Sequence, residues 1–189
     1  MTRSATLHEY TYSEYLAHEA ASNVKHEYLD GEIYAMAGGS PAHAELSVAV
    51  SSALRAQLQD GPCRVFSSDL RIRVAATGLA TYPDVTVVCG PLERDREGRE
   101  TVMNPKVLVE VLSDGTERYD RGEKFEHYKQ IPSFEEYVLL SQKEEQVEVW
   151  RREDGSWRRR TARSGERLTL ESIDCELVVD DLYRGVLDE

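Results

Sequence analysis

Two acidic residues, Asp84 and Glu110, stand where the sequence predicts neighbouring strands. Glu110 lies in the run 107–112, in which the other five residues are valine or leucine. A carboxylate buried in such a strand without a partner costs several kcal/mol, so it requires a metal ion, a cation or a proton. The pattern leaves open the alternative that Glu110 lies at the strand's end and faces water.

Asp84 follows Pro83 and precedes the apolar run 85–88. Proline cannot donate to a strand ladder, so it is typical of a strand's first position. Two neighbouring strands would then each place one carboxylate near a shared edge. Such oxygen ligands suit Mg²⁺ or Mn²⁺, and a bound ion can activate water and neutralise charge on a phosphate. Taken alone, Asp84 could equally be a residue that caps a turn.

Several segments carry a family resemblance that covers nearly the whole chain. The longest are Tyr-Pro-Asp-Val-Thr-Val-Val-Cys at 82–89, Asn-Pro-Lys-Val-Leu-Val-Glu-Val-Leu-Ser at 104–113, and Tyr-Asp-Arg-Gly-Glu-Lys-Phe at 119–125. With these, the sequence resembles the Uma-type restriction-endonuclease family of the PD-(D/E)XK nuclease superfamily. The resemblance implies a restriction-endonuclease-like fold, Mg²⁺-dependent hydrolysis of DNA phosphodiester bonds (Mn²⁺ could substitute) and homodimerisation.

The resemblance also implies roles for individual residues. Asp84 matches the superfamily's first acid and Glu110 its second acid, and both would bind the metal ion. The superfamily's lysine normally stands two residues after the second acid, where this sequence has Leu112. In the Uma-type family a lysine of the following helix takes that part, which here is Lys124. The departure at Leu112 keeps an alternative open, namely a catalytically silent relative that serves binding or assembly.

The position of Lys124 permits the role that the resemblance implies. Lys106 shares a strand face with Glu110, but it lies about 13 Å away along the strand, beyond a lysine's reach. Lys124 lies just before Phe125 in a predicted helix, at the border of its buried face, so its flexible stem could reach the site. We therefore expect Lys124→Ala to abolish cleavage with little change in melting temperature. The alternative is an exposed lysine paired with Asp120 or Glu123.

Four further residues are weaker candidates. Glu27 and Glu32 flank a predicted hairpin and could add a carboxylate to the site, although exposed hairpin acids are the commoner case. His43 near the start of a long helix could act in catalysis, or it could simply cap or pack. Arg71 lies on a predicted strand and could contact phosphate, or it could be an ordinary exposed arginine.

The elements that must position these residues follow from hydrophobic periodicity. Helices are predicted after Thr11, after Ser40-Pro41 as far as Asp60, and over 120–130. Strands are predicted around Asp30-Gly31, at 64–66, 70–74, 85–88, 107–112 and 137–140, followed by a ribbon that turns at Asp154-Gly155. The order predicts an α/β (α+β) fold, with a mixed sheet flanked by helices and a C-terminal antiparallel ribbon, in one domain spanning 1–189.

The composition narrows the class of protein. No apolar run approaches the roughly 20 residues of a membrane span, and the polar start at residues 1–4 predicts no secretory signal. Three cysteines, Cys63, Cys89 and Cys175, are odd in number and far apart, which argues against disulfides and a zinc cluster and favours the cytoplasm. The absence of a Walker loop or dinucleotide fingerprint predicts no organic cofactor.

Charge bears on the expected DNA partner in two directions. The net charge of −12 is unfavourable for binding nucleic acid. Residues 151–167 nevertheless hold seven arginines against three acids, a local excess of four positive charges. That segment could contact nucleic acid, or it could be a solvated antiparallel ribbon. The ribbon's apolar residues Val147, Val149 and Trp157 could form the expected dimer interface, unless the tryptophans close the core.

Overall fold

The computed structural model describes residues 9–187; the N-terminal residues on which the signal-peptide prediction depends lie outside this range. The helices are α1 (Tyr12–Ala21), α2 (Pro41–Leu58), α3 (Glu117–Arg121), α4 (Glu123–Tyr128) and α5 (Val179–Tyr183). The strands are β1 (His26–Leu29), β2 (Glu32–Ala35), β3 (Cys63–Ser67), β4 (Ile72–Arg73), β5 (Ala80–Thr81), β6 (Val85–Cys89), β7 (Val107–Val111), β8 (Glu136–Leu140), β9 (Gln146–Glu153), β10 (Ser156–Arg163), β11 (Arg167–Leu170) and β12 (Cys175–Val178).

A six-stranded mixed sheet organises these elements. Its strand order is β10-β9-β8-β7-β6-β3, with β7 and β8 parallel and the other neighbours antiparallel. A smaller sheet has the order β2-β1-β5-β4, and β11 pairs with β12. The predicted fold class, a mixed sheet flanked by helices with an antiparallel ribbon near the C-terminus, is confirmed.

The two faces of the large sheet bury separate apolar clusters. On one face, α2 contributes Leu46, Val50, Leu54 and Leu58 at a spacing of four residues, and α5 packs beside them. On the other face, Phe125 and Tyr128 of α4 pack with aromatic and aliphatic side chains of β7 and β8. This second face carries Glu110, because residues 108, 110 and 112 of one strand share a side.

The helix caps fix where α1 and α2 begin. Thr11 and Glu14 form the predicted capping box of α1. Ser40 caps α2 by accepting a hydrogen bond from the backbone N–H of His43 at 3.0 Å, and Pro41 occupies the first turn. The cap therefore sets His43 in the first turn of α2. Within residues 9–187, no helix combines the length and the apolar character that a bilayer crossing needs.

The helix predicted over 120–130 is two short helices that meet at Gly122. This residue has φ −115° and ψ −101°, outside the helical region. A Cβ atom built at Gly122 would lie 3.0 Å from the carbonyl oxygen of Arg118, closer than side chains normally approach backbone. The break reorients α4 relative to α3. Sequence periodicity could not show it, because glycine is tolerated inside helical patterns.

A disulfide joins Cys63 to Cys89, contrary to the expectation from cysteine number and spacing. The two residues are cross-strand partners in the β3–β6 pair, with their Cα atoms 3.9 Å apart. Antiparallel register thus brings together two cysteines that are 26 residues apart in sequence. Cys175 is a free, buried thiol.

The apolar side chains of the β9–β10 ribbon belong to the core of the single chain. Val147 and Val149 are buried in the cluster beneath α2 and α5. Trp150 and Trp157 pack against the cluster around α4. These contacts favour the alternative in which the tryptophans close the core, and not a dimer interface formed by Val147, Val149 and Trp157.

Candidate active site

A pocket of about 370 Å³ opens where β7 ends, between the first turn of α2 and the helices α3 and α4. Its lining includes six side chains that can carry charge: Glu27, His43, Asp84, Glu110, Asp120 and Lys124. The structure therefore brings Asp84, Glu110, Lys124 and His43 together. It also brings in Glu27, a weaker candidate, and Asp120, which was not assigned to the site.

Asp84 immediately precedes β6 and is tied to the neighbouring strand β7. Its Oδ2 atom accepts a hydrogen bond from the backbone N–H of Val111 at 2.7 Å and lies 3.2 Å from Nε2 of His43. Its own backbone N–H donates to Oε2 of Glu110 at 3.4 Å. The two acids thus lie side by side at a shared edge, and the contacts to Oδ2 leave Oδ1 of Asp84 for another ligand.

Glu110 is buried and faces the helices. Its Oε1 atom accepts a hydrogen bond from the Tyr128 hydroxyl at 2.8 Å and lies 2.9 Å from Nζ of Lys124. Burial raises the pKa of Glu110 to about 8; Lys124 opposes this shift, while Asp84 and Asp120 add to it. Four carboxyl groups and one ammonium line the pocket, so a bound cation would favour the ionised form of Glu110.

Lys124 points into the pocket with only 5% of its side chain exposed. Its ammonium lies 2.9 Å from Glu110 and 3.3 Å from both Asp120 and Glu27. Burial disfavours the charge of Lys124, but the carboxylates of Glu110, Glu27 and Asp120 outweigh burial and raise its pKa well above the usual value. Lys124 is consequently a fixed ammonium and unsuited to act as a base.

Asp120 is the site residue that sequence reasoning missed. It lies one helical turn before Lys124, which is a usable signal, and burial raises the pKa of its carboxyl. Glu27 was a weak candidate, since an exposed hairpin acid was the commoner case, and the structure places it in the pocket lining. The pairing of β1 with the two-residue strand β5 buries it beside Thr81, whose hydroxyl donates to Glu27. A strand of two residues such as β5 is too short to produce a recognisable sequence pattern.

His43 lines the pocket, as one alternative at the sequence level allowed. Its hydrogen bond to Asp84 raises its pKa, against the opposing effect of burial. Gly39 leaves room for the ring, since a Cβ atom there would lie 2.7 Å from Nδ1 of His43. His43 thereby contacts the same Asp84 oxygen that accepts the hydrogen bond from the Val111 N–H.

The structure places Glu32 and Arg71 outside the pocket lining. Glu32 is exposed on β2 and accepts a hydrogen bond from the Tyr34 hydroxyl. Arg71 is buried in another polar network, where Nε donates to Thr101 at 2.7 Å and a terminal nitrogen donates to Tyr82 at 3.0 Å. Its guanidinium is therefore engaged within the fold and does not reach the carboxylates of the site.

The donor set decides which metal ion the pocket could accept. Residues 9–187 contain no group of three or more His, Cys, Asp or Glu side chains arranged to hold a metal ion, so the pocket is not an all-protein cage. Mg²⁺ is commonly bound by one or two carboxylates together with water and substrate phosphate. The neighbouring carboxyl groups of Asp84 and Glu110, in a pocket lined by four carboxyl groups, fit this mode of binding.

Known proteins of similar sequence indicate the family of the chain. The model of the Uma2 family, described as "Putative restriction endonuclease", matches residues 12–180. The chain belongs to the Uma2 family. Among its Uma2-like relatives, slr1290 of Synechocystis sp. is 41% identical over 174 residues, covering 92% of this chain and 90% of the relative. Another Synechocystis protein, sll1609, is 34% identical over 138 residues, covering 73% and 78% of the two chains.

A solved structure shares the fold of this Uma2-family chain. It is described as a "putative nuclease belonging to DUF820" from Anabaena variabilis, and it superposes with a TM-score of 0.72. The match covers 88% of this chain and 93% of that chain at 18% identity. At this identity the likeness concerns the fold.

Proposed function

We propose that this Uma2-family chain is a Mg²⁺-dependent endonuclease that hydrolyses DNA phosphodiester bonds, with Mn²⁺ able to substitute. The observation that carries the proposal is the convergence of Asp84, Glu110 and Lys124 in one pocket, with the lysine ammonium 2.9 Å from Glu110. Lys124 supplies from a helix the cation that Leu112 cannot supply from the strand. This favours an enzyme over a silent relative.

Asp84 and Glu110 would hold the metal ion through the oxygen of each carboxylate that the protein engages less. For Asp84 this is Oδ1, because Val111 and His43 both contact Oδ2. For Glu110 it is Oε2, because Tyr128 and Lys124 both contact Oε1. Oε2 of Glu110 takes the 3.4 Å hydrogen bond from the Asp84 N–H. When bound, Mg²⁺ lowers the pKa of a coordinated water and offsets the charge of the phosphate.

Lys124 would stabilise the negative charge that builds up on the phosphate or orient the attacking water. Its raised pKa keeps it protonated, so it acts as a fixed cation. Asp120 and Glu27 hold the ammonium in place, and Tyr128 holds the Glu110 oxygen that it contacts. These three are positioning residues in this proposal.

The partner and the assembly follow from the same chemistry. Cleavage of a DNA duplex requires two scissions, and a twofold-symmetric homodimer is a common way for a small nuclease to present two sites. A reducing cytoplasm is where a DNA-directed enzyme would meet its substrate. The Cys63–Cys89 disulfide removes the support that the cysteines were expected to give this placement, because disulfides are rare in reducing compartments.

A cleavage assay across single-stranded, duplex and branched DNA tests the proposed function. We expect cleavage of at least one substrate by the native protein in Mg²⁺ or Mn²⁺, and none in a chelator. Asp84→Asn should lose activity, because it keeps an oxygen for the Val111 N–H but removes the ligand charge. Glu32→Gln is the matched control, since Glu32 is an acid outside the pocket. Metal-dependent cleavage of none of the three substrates would favour the silent relative.

A further inference from the structure

Four arginines of β10 divide between the two faces of the ribbon formed by β9 and β10. Side chains alternate along a strand, so Arg159 and Arg163 share a face with Trp157, while Arg158 and Arg160 share the other. Trp157 packs against the cluster around α4, which identifies the first face as the one that carries the helices α3 and α4. We call Arg159 and Arg163 the site-face pair, and Arg158 and Arg160 the opposite pair.

The site-face pair lies on the same side of the sheet as Glu110. Successive register partners connect the two positions across the sheet: Glu110 pairs with Leu139, Leu139 pairs with Glu148, and Glu148 pairs with Thr161. Thr161 lies between the two arginines of the site-face pair. Side chains level with one another on adjacent strands point to the same face. Three strand spacings of about 4.8 Å place Thr161 about 14 Å from Glu110 across the sheet.

A run of charged contacts connects the pocket to the site-face pair. Arg121 follows Asp120 in α3, and its guanidinium lies 2.6 Å from Oε1 of Glu148. The other oxygen of Glu148 lies 3.6 Å from Arg159. Beyond it, a polar groove of about 470 Å³ is lined by residues that include Arg159 and Arg163. The groove and the pocket are thus separate cavities on one face of the sheet, linked by the ion pairs of Glu148 with Arg121 and Arg159.

The site-face pair is less fully neutralised than the opposite pair. Arg159 and Arg163 are 57% and 66% exposed, and their nearest carboxylates, Glu148 and Glu144, lie at 3.6 Å and 4.0 Å. Arg163 also donates to the neutral side-chain oxygen of Gln146 at 2.8 Å. A guanidinium carries five N–H donors, so both arginines keep donors for a further ligand.

The opposite pair is as exposed, but it has closer partners. Arg158 lies 3.2 Å from Glu153, and Arg160 lies 2.9 Å from Glu171. Their side chains are 69% and 50% exposed. Exposure alone therefore does not distinguish the two pairs, whereas ion pairing and position relative to the pocket do.

We infer that the site-face pair binds backbone phosphates of the nucleic acid that is cleaved in the pocket. This inference rests on the proposed function. At a rise of about 3.4 Å per base-pair step, 14 Å places the contacts about four steps from the cleaved bond. Arginine forks match phosphate oxygens, and two incompletely paired guanidinium groups give a duplex local contacts on a chain whose net charge is −12.

Fluorescence anisotropy with a labelled DNA duplex tests the inference, with Ca²⁺ in place of Mg²⁺ and a series of salt concentrations. Counterion release predicts that two lost phosphate contacts flatten the slope of log affinity against log salt by about 2. We therefore expect Arg159→Ala/Arg163→Ala to show that change and to raise Kd about tenfold or more in 0.1 M salt. Arg158→Ala/Arg160→Ala removes the same formal charge and should stay within about twofold of the native Kd.

Three outcomes would overturn the inference: equal effects of the two double variants, no effect of the first, or no binding of duplex by the native protein. Arg159→Lys/Arg163→Lys keeps the charge and should retain most of the salt slope; if the alanine variant fails to fold, this variant and Arg159→Gln/Arg163→Gln carry the comparison. Failure of the proposed function would look different, since it would appear as absent cleavage in Mg²⁺, independent of the arginine substitutions and of binding in Ca²⁺.

Discussion

Lys124 reaches the pocket from helix α4, whereas Leu112 stands two residues after Glu110 and packs in the apolar cluster. Lys124 was expected either to reach the site or to pair with a neighbouring acid of its helix, and the structure shows part of each. Lys124 pairs with Asp120, and the same ammonium also contacts Glu110 and Glu27. A lysine held by three buried carboxylates is a structural residue as well as a candidate catalytic one.

This burial revises the expectation that replacing Lys124 leaves the melting temperature unchanged. Lys124→Met would leave three carboxylates in the pocket without their cation. Removing one partner of a buried ion pair typically costs about 3–5 kcal/mol, which corresponds to roughly 6 °C or more in a chain of this size. We expect a thermal melt in chelator to show this loss, together with loss of cleavage.

Lys143→Met is the control for that measurement. Lys143 is an exposed lysine that also contacts two carboxylates, those of Asp114 and Glu117. Exposed ion pairs contribute about 0–1 kcal/mol, so its melting temperature should hardly change. Equal decreases in melting temperature for the two variants would show that the contribution of Lys124 to stability does not depend on its burial in the pocket.

At the scale of the element, the break between α3 and α4 sets where Lys124 points. Gly122→Ala would place a Cβ atom 3.0 Å from the Arg118 carbonyl oxygen, so the two helices must shift. We expect a loss of about 1–3 kcal/mol in the free energy of unfolding and a lower cleavage rate at saturating Mg²⁺. Gly61→Ala is the control, since its Cβ would meet the nearest atom, the Leu58 carbonyl oxygen, at 3.7 Å.

Strand β8 begins with a buried acid that supports the turn before β12. Glu136 accepts hydrogen bonds from the backbone N–H groups of Glu171 and Ser172 and from the Ser172 hydroxyl. Burial raises the pKa of Glu136, although these hydrogen bonds oppose the shift. A carboxyl with a raised pKa in the folded state favours folding while it is protonated. Its contribution to stability therefore falls as the pH rises from about 4.5 through the raised value.

Replacing Glu136 by glutamine should remove that pH dependence. Melting temperatures of native protein and Glu136→Gln, measured from pH 4 to pH 8, should diverge in favour of the variant as the pH rises. The absolute values can differ at every pH, because the amide changes one acceptor to a donor. A constant difference across the range would contradict a raised pKa for Glu136.

The sequence predicts the elements that have a local pattern of apolar or turn residues. It misses the features that depend on pairing between strands far apart in sequence. The leucines of α2, the apolar run of β7 and the turn at Asp154-Gly155 are local signals, and each gave the correct element. The two-residue strand β5 and the disulfide depend on register between distant strands. Glu27 enters the site through the same β1–β5 pairing, whereas Asp120 had a local signal in its spacing of four residues from Lys124.

At the scale of the whole molecule, the Cys63–Cys89 disulfide closes a loop of 26 residues across the sheet's edge. In the chain-entropy model, a loop of this length contributes about 3 kcal/mol to the free energy of unfolding. We expect Cys63→Ser/Cys89→Ser to lose about that amount. Thiol titration of the unfolded protein should find one thiol before reduction and three after it; three before reduction would contradict the disulfide.

The proposed homodimer concerns surfaces other than the apolar side chains of the ribbon, which are buried in the single chain. Light scattering at micromolar concentration should give twice the chain mass of 21.4 kDa. A mass near 21.4 kDa would contradict the dimer and would require that two monomers act in succession on a duplex.

The metal site is the centre of this account, and calorimetric titration of the purified protein with Mn²⁺ or Mg²⁺ tests it most directly. The native protein and Glu32→Gln should bind the ion with the same saturable isotherm. Asp84→Asn and Glu110→Gln should each lose that isotherm while remaining folded, because each removes one of the two charged ligands. Undiminished binding by both variants would contradict a metal site shared by Asp84 and Glu110.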